Sequence, residues 1–433
     1  MAATPDTHFL QPPQPDEGWP LGIHHIPSYD LQLARRLFGT SNPELRRARS
    51  RVFFQGIESR QRIPQGMHDR CEHFVFGDGQ TTARDLEGMA RHLPLRYKVI
   101  SLQHHRLCEN EVWDLTASRL PYWPEIDDLE ELYVHLAIEH LELGPGARML
   151  IRGNVLSIEC GTLERIPADR PVVPISPLDW DIGILPTPFS VDRPTNSYTG
   201  AAGRSGTDGA DGLPGYNWRI EGSLFGPQLV GPVPDAATAA NIVCGKDGSN
   251  GEDGGHGARG RNGGMCRLAD LRFGRLVGFD KAPLRIFSQA GIGFPGGDGG
   301  HGGNGGNGGN GGNGVEASGI QLPAGTGGNG GDGGHGGNGG AGGAGGLSSN
   351  IFVQLPAAQS DCVQTLSLPS SGGPGSAGGC AGKPGVVGIG GHLAGSEHNA
   401  SSGNNGRPGN TGRDGARGRS RPGANIFLIT TEE

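Results

Sequence analysis

Glycine recurs at every third position at 200–215, 245–263, 293–314 and 403–418, and as Gly-Gly-X from about 327 to 346. A sixth, broken tract spans roughly 372–391. This period matches the three residues per turn of a polyproline-II helix, a conformation with no internal hydrogen bonds. Each tract then has three ridges, and its main-chain N–H and C=O groups must find partners outside the tract. In Asp298-Gly-Gly-His301-Gly-Gly-Asn304-Gly-Gly-Asn307-Gly-Gly-Asn310 every side chain falls on one ridge, and two ridges are bare. The same holds for Asn329, Asp332, His335, Asn338, Ala341 and Ala344.

Bare ridges let neighbouring backbones come close enough to bond main chain to main chain, with Cα–H···O contacts adding a little. The flanking tracts keep one glycine per triplet, as in Gly203-Arg-Ser-Gly206-Thr-Asp-Gly209. One bare ridge suits a helix at the edge of a bundle, two a helix in its middle. The pattern predicts an intramolecular bundle. A flexible linker has no reason to hold phase for eight triplets or to restart it, although glycine makes order entropically costly. A three-chain collagen helix requires long proline-rich tracts, and the two densest tracts here contain almost none.

In this periodicity residues 200–433 resemble the polyglycine-II glycine-rich proteins: the snow flea antifreeze protein, the receptor-binding tips of some phage tail fibres and mycobacterial glycine-rich repeat proteins. The resemblance implies a fold and only loosely a function. Ice binding requires a flat ridge of Thr, Ala or Val, whereas these ridges carry Asn, Asp and His. The chain is also similar to ribosome-associated GTPases with a glycine-rich domain. Those need a Gly-Lys-Ser/Thr loop, and Gly245-Lys246-Asp247 and Gly382-Lys383-Pro384 are not that.

Of the 82 glycines in 433 residues, 13 precede Gly200. An ordinary apolar core is therefore confined to the first half and to short inserts in the second. Up to residue 199 there are 20 Lys and Arg against 27 Asp and Glu; after it, 16 against 17. No basic field suited to nucleic acid results. The local exception, Arg407, Arg413, Arg417, Arg419 and Arg421, reads as a polyanion site or as a solvated basic edge. The N-terminus shows no secretory signal, which leads to the expectation of cytoplasmic synthesis, with later release or incorporation in an extracellular assembly left open. No stretch reaches the roughly 18 apolar residues of a membrane span, and the seven cysteines are too scattered for a disulfide framework.

Residues 1–27 are Pro-rich and expected to be disordered. A β-rich domain is expected over 28–166, opening with a short helix on Leu31, Leu33 and Leu37. Leu132, Val134, Leu136 and Ile138 alternate with neighbours read as polar, the period of a half-buried strand. Turns at Gly144-Pro145-Gly146 and Gly153-Asn154 then separate further short strands, as in the rungs of a β-solenoid or a meander. Residues 167–199, with seven prolines, read as an irregular linker. Short β-type segments follow at 240–243, 284–287, 350–353 and 425–428, and their recurring Asn-Ile start suggests equivalent places in a repeat. The fold class expected is mainly β and irregular: a solenoid-like N-terminal domain, then the polyglycine-II bundle with β inserts over 200–433.

Two constellations could hold a metal. Asp253-Gly-Gly-His256, Asp298-Gly-Gly-His301 and Asp332-Gly-Gly-His335 place carboxylate and imidazole on one ridge, and aligned tracts could converge on a divalent cation. The plain alternative is a polar ladder facing solvent. His68, Cys71 and His73, followed by His104, His105 and Cys108, offer a structural zinc site, or core residues with no CxxC knuckle among them. No nucleophile elbow, HExxH, dinucleotide or kinase signature is present. The sequence predicts no enzyme and no obligatory cofactor. The expected role is a structural or assembly scaffold attached to a protein partner through its N-terminal domain. Alternatives are a receptor- or glycan-binding adhesin using Trp218–Pro234 and Leu355–Ser371, and a metal-binding accessory factor.

Overall fold

The computed structural model describes residues 19–29, 31–37, 44, 93–118, 121–124, 131–167, 179–187, 198–230, 241–317, 320–394 and 399–431. The molecule is mainly β, with few helices and several sheets. Strand β1 (Gly22–Ser28) is followed by helix α1 (Leu31–Leu37), where the leucine pattern places it. The strand lies inside the segment expected to be disordered, because Ile26 docks into a buried apolar cluster with Leu33 of α1.

Thereafter the strands alternate between two sheets. One sheet holds β2 (Leu95–Leu107), β4 (Leu132–Leu143), β6 (Val155–Arg165), β10 (Ala269–Val277), β14 (Ile351–Pro356) and β16 (Ile426–Thr431), in that order, with β1 antiparallel against β2. The other holds β3 (Val112–Asp114), β5 (Arg148–Arg152), β7 (Ile182–Leu185), β11 (Leu284–Gln289) and β15 (Val363–Leu368). Apart from β1, every pairing in these two sheets is parallel. Two hairpins, β8 (Arg219–Ser223) with β9 (Gly226–Val230) and β12 (Val315–Ala317) with β13 (Ile320–Leu322), stand apart from them.

Between the sheets lies one apolar core, with Leu136, Ile158, Leu271 and Val353 from one side and Met149, Ile184 and Ile286 from the other. The alternation in β4 predicts a half-buried strand, yet Tyr133 and His135 are buried as well. The outer face there is covered by a second cluster containing Ile26, Leu33, Tyr97 and Phe352. Burial on both faces is the usual state of parallel sheets. The expected turns are present, and Gly146 and Gly153 take positive φ in them.

The sheets cross the boundary that composition suggests near residue 200. Leu271 of β10 pairs with Ile158 of β6, and β14 and β16 continue the same sheet. Within the supposed linker, Ile182–Leu185 form β7, because Ile182 and Ile184 enter the core. Of the segment at 240–243, residues 241–243 are helical.

The six glycine tracts are bonded to one another through their main chains at three-residue intervals. The third tract donates to the fifth through Gly302 and to the second through Gly303, and accepts from the first at Asp298 and from the fourth at Gly300. The fourth bonds likewise to the second, third, fifth and sixth; the first and sixth, at the ends, bond to two tracts each. The two tracts richest in glycine are thus the ones enclosed by neighbours. Gly303 illustrates why: a Cβ there would overlap the carbonyl oxygen of Thr207 on the first tract.

Tract and strand share a register. Asp247 and Asn329, on the second and fourth tracts, are 82 residues apart, as are Ala269 and Ile351 in the strands that follow. The spacing between the third and fifth tracts is 79, matching Leu284 and Val363 in the strands before them. Between the fourth and sixth it is 75, matching Ile351 and Ile426. First, third and fifth tracts leave the sheet of β7, β11 and β15; second, fourth and sixth lead back into β10, β14 and β16.

Candidate functional site

A three-residue repeat with two donating glycines leaves one N–H per triplet, that of the side-chain-bearing residue. Side chains of the preceding row accept it. Asp208 Oδ1 accepts from Asn304 N at 2.6 Å, and Asn304 Oδ1 in turn from Lys383 N at 2.9 Å. On the other layer Asp253 Oδ1 accepts from His335 N at 2.6 Å, and His335 Nδ1 from Asn410 N at 2.9 Å. His256 Nδ1 accepts from Asn338 N, His301 Nδ1 from Cys380 N and Asp332 Oδ1 from Arg407 N. Asp298 belongs to the same row, and its main-chain carbonyl accepts from Gly203. Asn, Asp and His share one property here: an acceptor at the δ1 position, two bonds beyond Cβ. In the histidines Nδ1 is the accepting atom, which leaves Nε2–H as the ring donor.

The side chains of Asp253, His256, His301, Asp332 and His335, read as metal ligands, are therefore directed along the row toward the next backbone. Among the described residues no three His, Cys, Asp or Glu side chains form a group that could hold a metal ion. His68, Cys71 and His73 lie outside the described residues. His104 and His105 are adjacent on β2 and so project to opposite faces. His104 Nε2 meets Glu142 Oε1 at 2.9 Å, while His105 packs its ring against Trp113 at 4.5 Å. Cys108 follows the strand and is exposed; its N–H donates to Glu111. Cys108, Cys160, Cys244, Cys266, Cys362 and Cys380 are all free thiols, and burial pushes that of Cys160 up to about 12.

Sequence reasoning missed a cleft of about 500 Å³ where three sheet-to-sheet turns meet, after β4, β6 and β10. Pro145, Ala147 and Ile166 supply apolar wall. Arg148 pairs with Asp179 and lies 5.5 Å from the Trp180 ring; Arg165 pairs with Asp181 at 2.6 Å and sits over Phe279. Burial raises the Asp181 carboxyl above its ordinary range, against the opposing pull of Arg165 and the Arg285 N–H. Lys281, exposed at the rim, has no ion-pair partner among the described residues. The cleft can take a small polar molecule but brings together no nucleophile and base. The residues that line it lie scattered over 144–285, so no local spacing announces them.

The two inserts named as contact segments of an adhesin, Trp218–Pro234 and Leu355–Ser371, lie, where they are described, at opposite ends of the tracts. Trp218 N donates to Asn313 O at the far end, beside the β8–β9 hairpin, whereas Ser371 O accepts from Gly293 next to the sheets. At the hairpin turn Leu224 is 101% and Phe225 94% exposed. No helix among the described residues is long and apolar enough to cross a membrane. No family model, curated protein or solved structure matches the chain.

Proposed function

We propose that this chain is a non-enzymatic structural or assembly scaffold, built as one continuous solenoid in which each turn runs from β-strand to polyglycine-II helix and back. The observation that carries the reading is the lacing of six tracts at every third residue, in the register of the strands they join. A tract of about 21 residues in this conformation extends ~65 Å at 3.1 Å per residue, and neighbours bonded along that length resist bending. The sheet end then anchors a stiff, flat body that holds its far end at a fixed distance.

Hydrogen–deuterium exchange on the native protein tests this. Amides between Gly293 and Gly346 should exchange slowly and as one block. Fast exchange throughout that span would remove the scaffold reading.

A second reading is an adhesin that meets a receptor through the far end. It is favoured by Leu224 and Phe225, two adjacent large apolar side chains standing in solvent at the hairpin turn. Replacing both with Ser would abolish retention on cells or glycans if the tip makes the contact, and would leave exchange in the tracts unchanged.

A further inference from the structure

The two edges of the seven-stranded sheet are treated differently. At one edge β1 is antiparallel to β2, contains Pro27 and is followed by α1. Proline and short edge strands are the usual means of blocking further strand addition. At the other edge β16 reads Ile-Phe-Leu-Ile-Thr-Thr, with no charge and no proline, and no described strand pairs with its outer side. Asn425 O accepts from Ile351 N, and parallel pairing then turns the N–H and C=O of Ile426, Leu428 and Thr430 outward. Leu428 is 46% exposed.

The sixth tract, which leads into β16, is sealed by contrast. Its glycine ridge faces inward: a Cβ on Gly406 would overlap Gly331. Both other ridges carry side chains, so a further tract would find no bare ridge there to close on. Four of those side chains are basic: Arg407, Arg413 and Arg419 fall on one ridge, six residues or about 19 Å apart, with Arg417 on the next, and all four are exposed. Arg421 stands between tract and strand, and its Nε is buried with no partner among the described residues. Asp414 is the acid within this stretch, and it accepts from Gly378 N.

We propose that β16 is a docking edge for an extended, acidic segment of a partner protein. The segment adds as a strand to Ile426, Leu428 and Thr430 and sets its carboxylates against Arg417, Arg419 and the arginines beyond them. Strand addition supplies affinity through main-chain bonds, and the charge row selects the partner. A second copy pairing β16 with β16 in antiparallel fashion leaves the arginines of each copy uncovered, and a flexible polyanion uses the arginines but not the strand. The inference rests on the scaffold reading only in that the molecule works by holding a partner. Peptide binding and tract exchange are separate measurements, so either can fail alone.

The test uses the full chain and a synthetic peptide of alternating Glu and Val, with a Lys-Val peptide as control, read by fluorescence anisotropy. The Glu-Val peptide should bind, the Lys-Val peptide should not, and Leu428→Pro or the joint Arg407, Arg413, Arg417 and Arg419 to Ser change should each weaken binding at least tenfold. In the unaltered protein the peptide should slow exchange at the amides of Ile426, Leu428 and Thr430, a readout that does not depend on any variant folding. Unchanged exchange there overturns the proposal. Heparin binding that the arginine changes abolish and Leu428→Pro leaves intact, without peptide binding, points to a polyanion surface instead. A dimer in light scattering that Leu428→Pro dissolves points to a second copy.

Discussion

Strand β10 and the tract leading into it each sit 82 residues from the next strand or tract in their row, yet opposite physical means hold them there. In the sheets, position is fixed by side chains: Leu271 and Val353 fill a space shared with Ile158 and Ile286, and the hydrophobic effect dominates. Along the Gly-Gly-X rows Ala344 is the one buried apolar side chain among the described residues, and it is no larger than a methyl. Close approach of bare backbone and pairing of the glycine N–H groups replace packing. One half therefore tolerates repacking but not loss of volume; the other tolerates loss of a side chain but not the gain of one.

The sharpest way to break this comparison is to add a methyl-bearing side chain where none fits. Gly303→Val would meet the backbone of the first tract, which cannot shift without breaking its own bonds. Protection across all six tracts should be lost, at about 4 kcal/mol or more. Gly222→Ala, where a Cβ meets nothing within 4 Å, should leave that protection unchanged.

In the sheets the corresponding injury is removal. Leu136→Ala should cost about 2–5 kcal/mol in urea unfolding, since Leu136 is fully buried between the sheets. Exchange in the tracts distant from β4 should change less than exchange in the strands.

Acid should separate the halves further. His135 is buried against Ser157, and burial with nearby Arg272 lowers its imidazole to about 3. The unfolded chain takes up this proton near pH 6.5 and the native chain does not. Stability is thus complete above that pH and is lost as pH falls toward 3, by about 1.4 kcal/mol per unit. Urea midpoints at pH 7 and pH 5 should differ in the unaltered protein by more than in His135→Gln.

The smallest effect lies in the acceptor rows. His335→Ala should cost about 0.5–1 kcal/mol, because water reaches the freed N–H of Asn410. His335→Asn restores a δ1 acceptor and should recover the loss. Equal behaviour of the Ala and Asn variants in thermal melts would show that the row contributes nothing.

The tracts and their edge-to-centre gradient are legible in the sequence because glycine at every third position is a direct statement about backbone approach. The strands after Gly144 and Gly153 are legible for a similar reason, as the turns are marked. Continuity of sheet and tract was hidden. It appears only in the common separations of 82, 79 and 75 residues, and these mean little until strand partners are known. The seven prolines of 167–199 masked β7, whose assignment rests on long-range contacts with β5 and β11. Asp253 and His335 looked like ligands because the ridge rule places polar groups in line. Their shared δ1 acceptor was the available signal that the line serves the next backbone.

The rows also have a direction. Within a layer each δ1 acceptor belongs to an earlier tract and serves a later one, while Asn405 and Asp414 of the sixth tract reach back to the fifth in the other layer, so among the described tracts the last on each layer has no successor to serve. On the fifth tract that ridge reads Cys380, Lys383, Val386, Ile389, and on the sixth Asn404, Arg407, Asn410, Arg413, Ala416, Arg419. Freed from its duty, the terminal ridge drifts from Asn, Asp and His toward other chemistries. A tract laid beside either of these two would find no unbroken line of δ1 acceptors, so that ridge would have to be rewritten first.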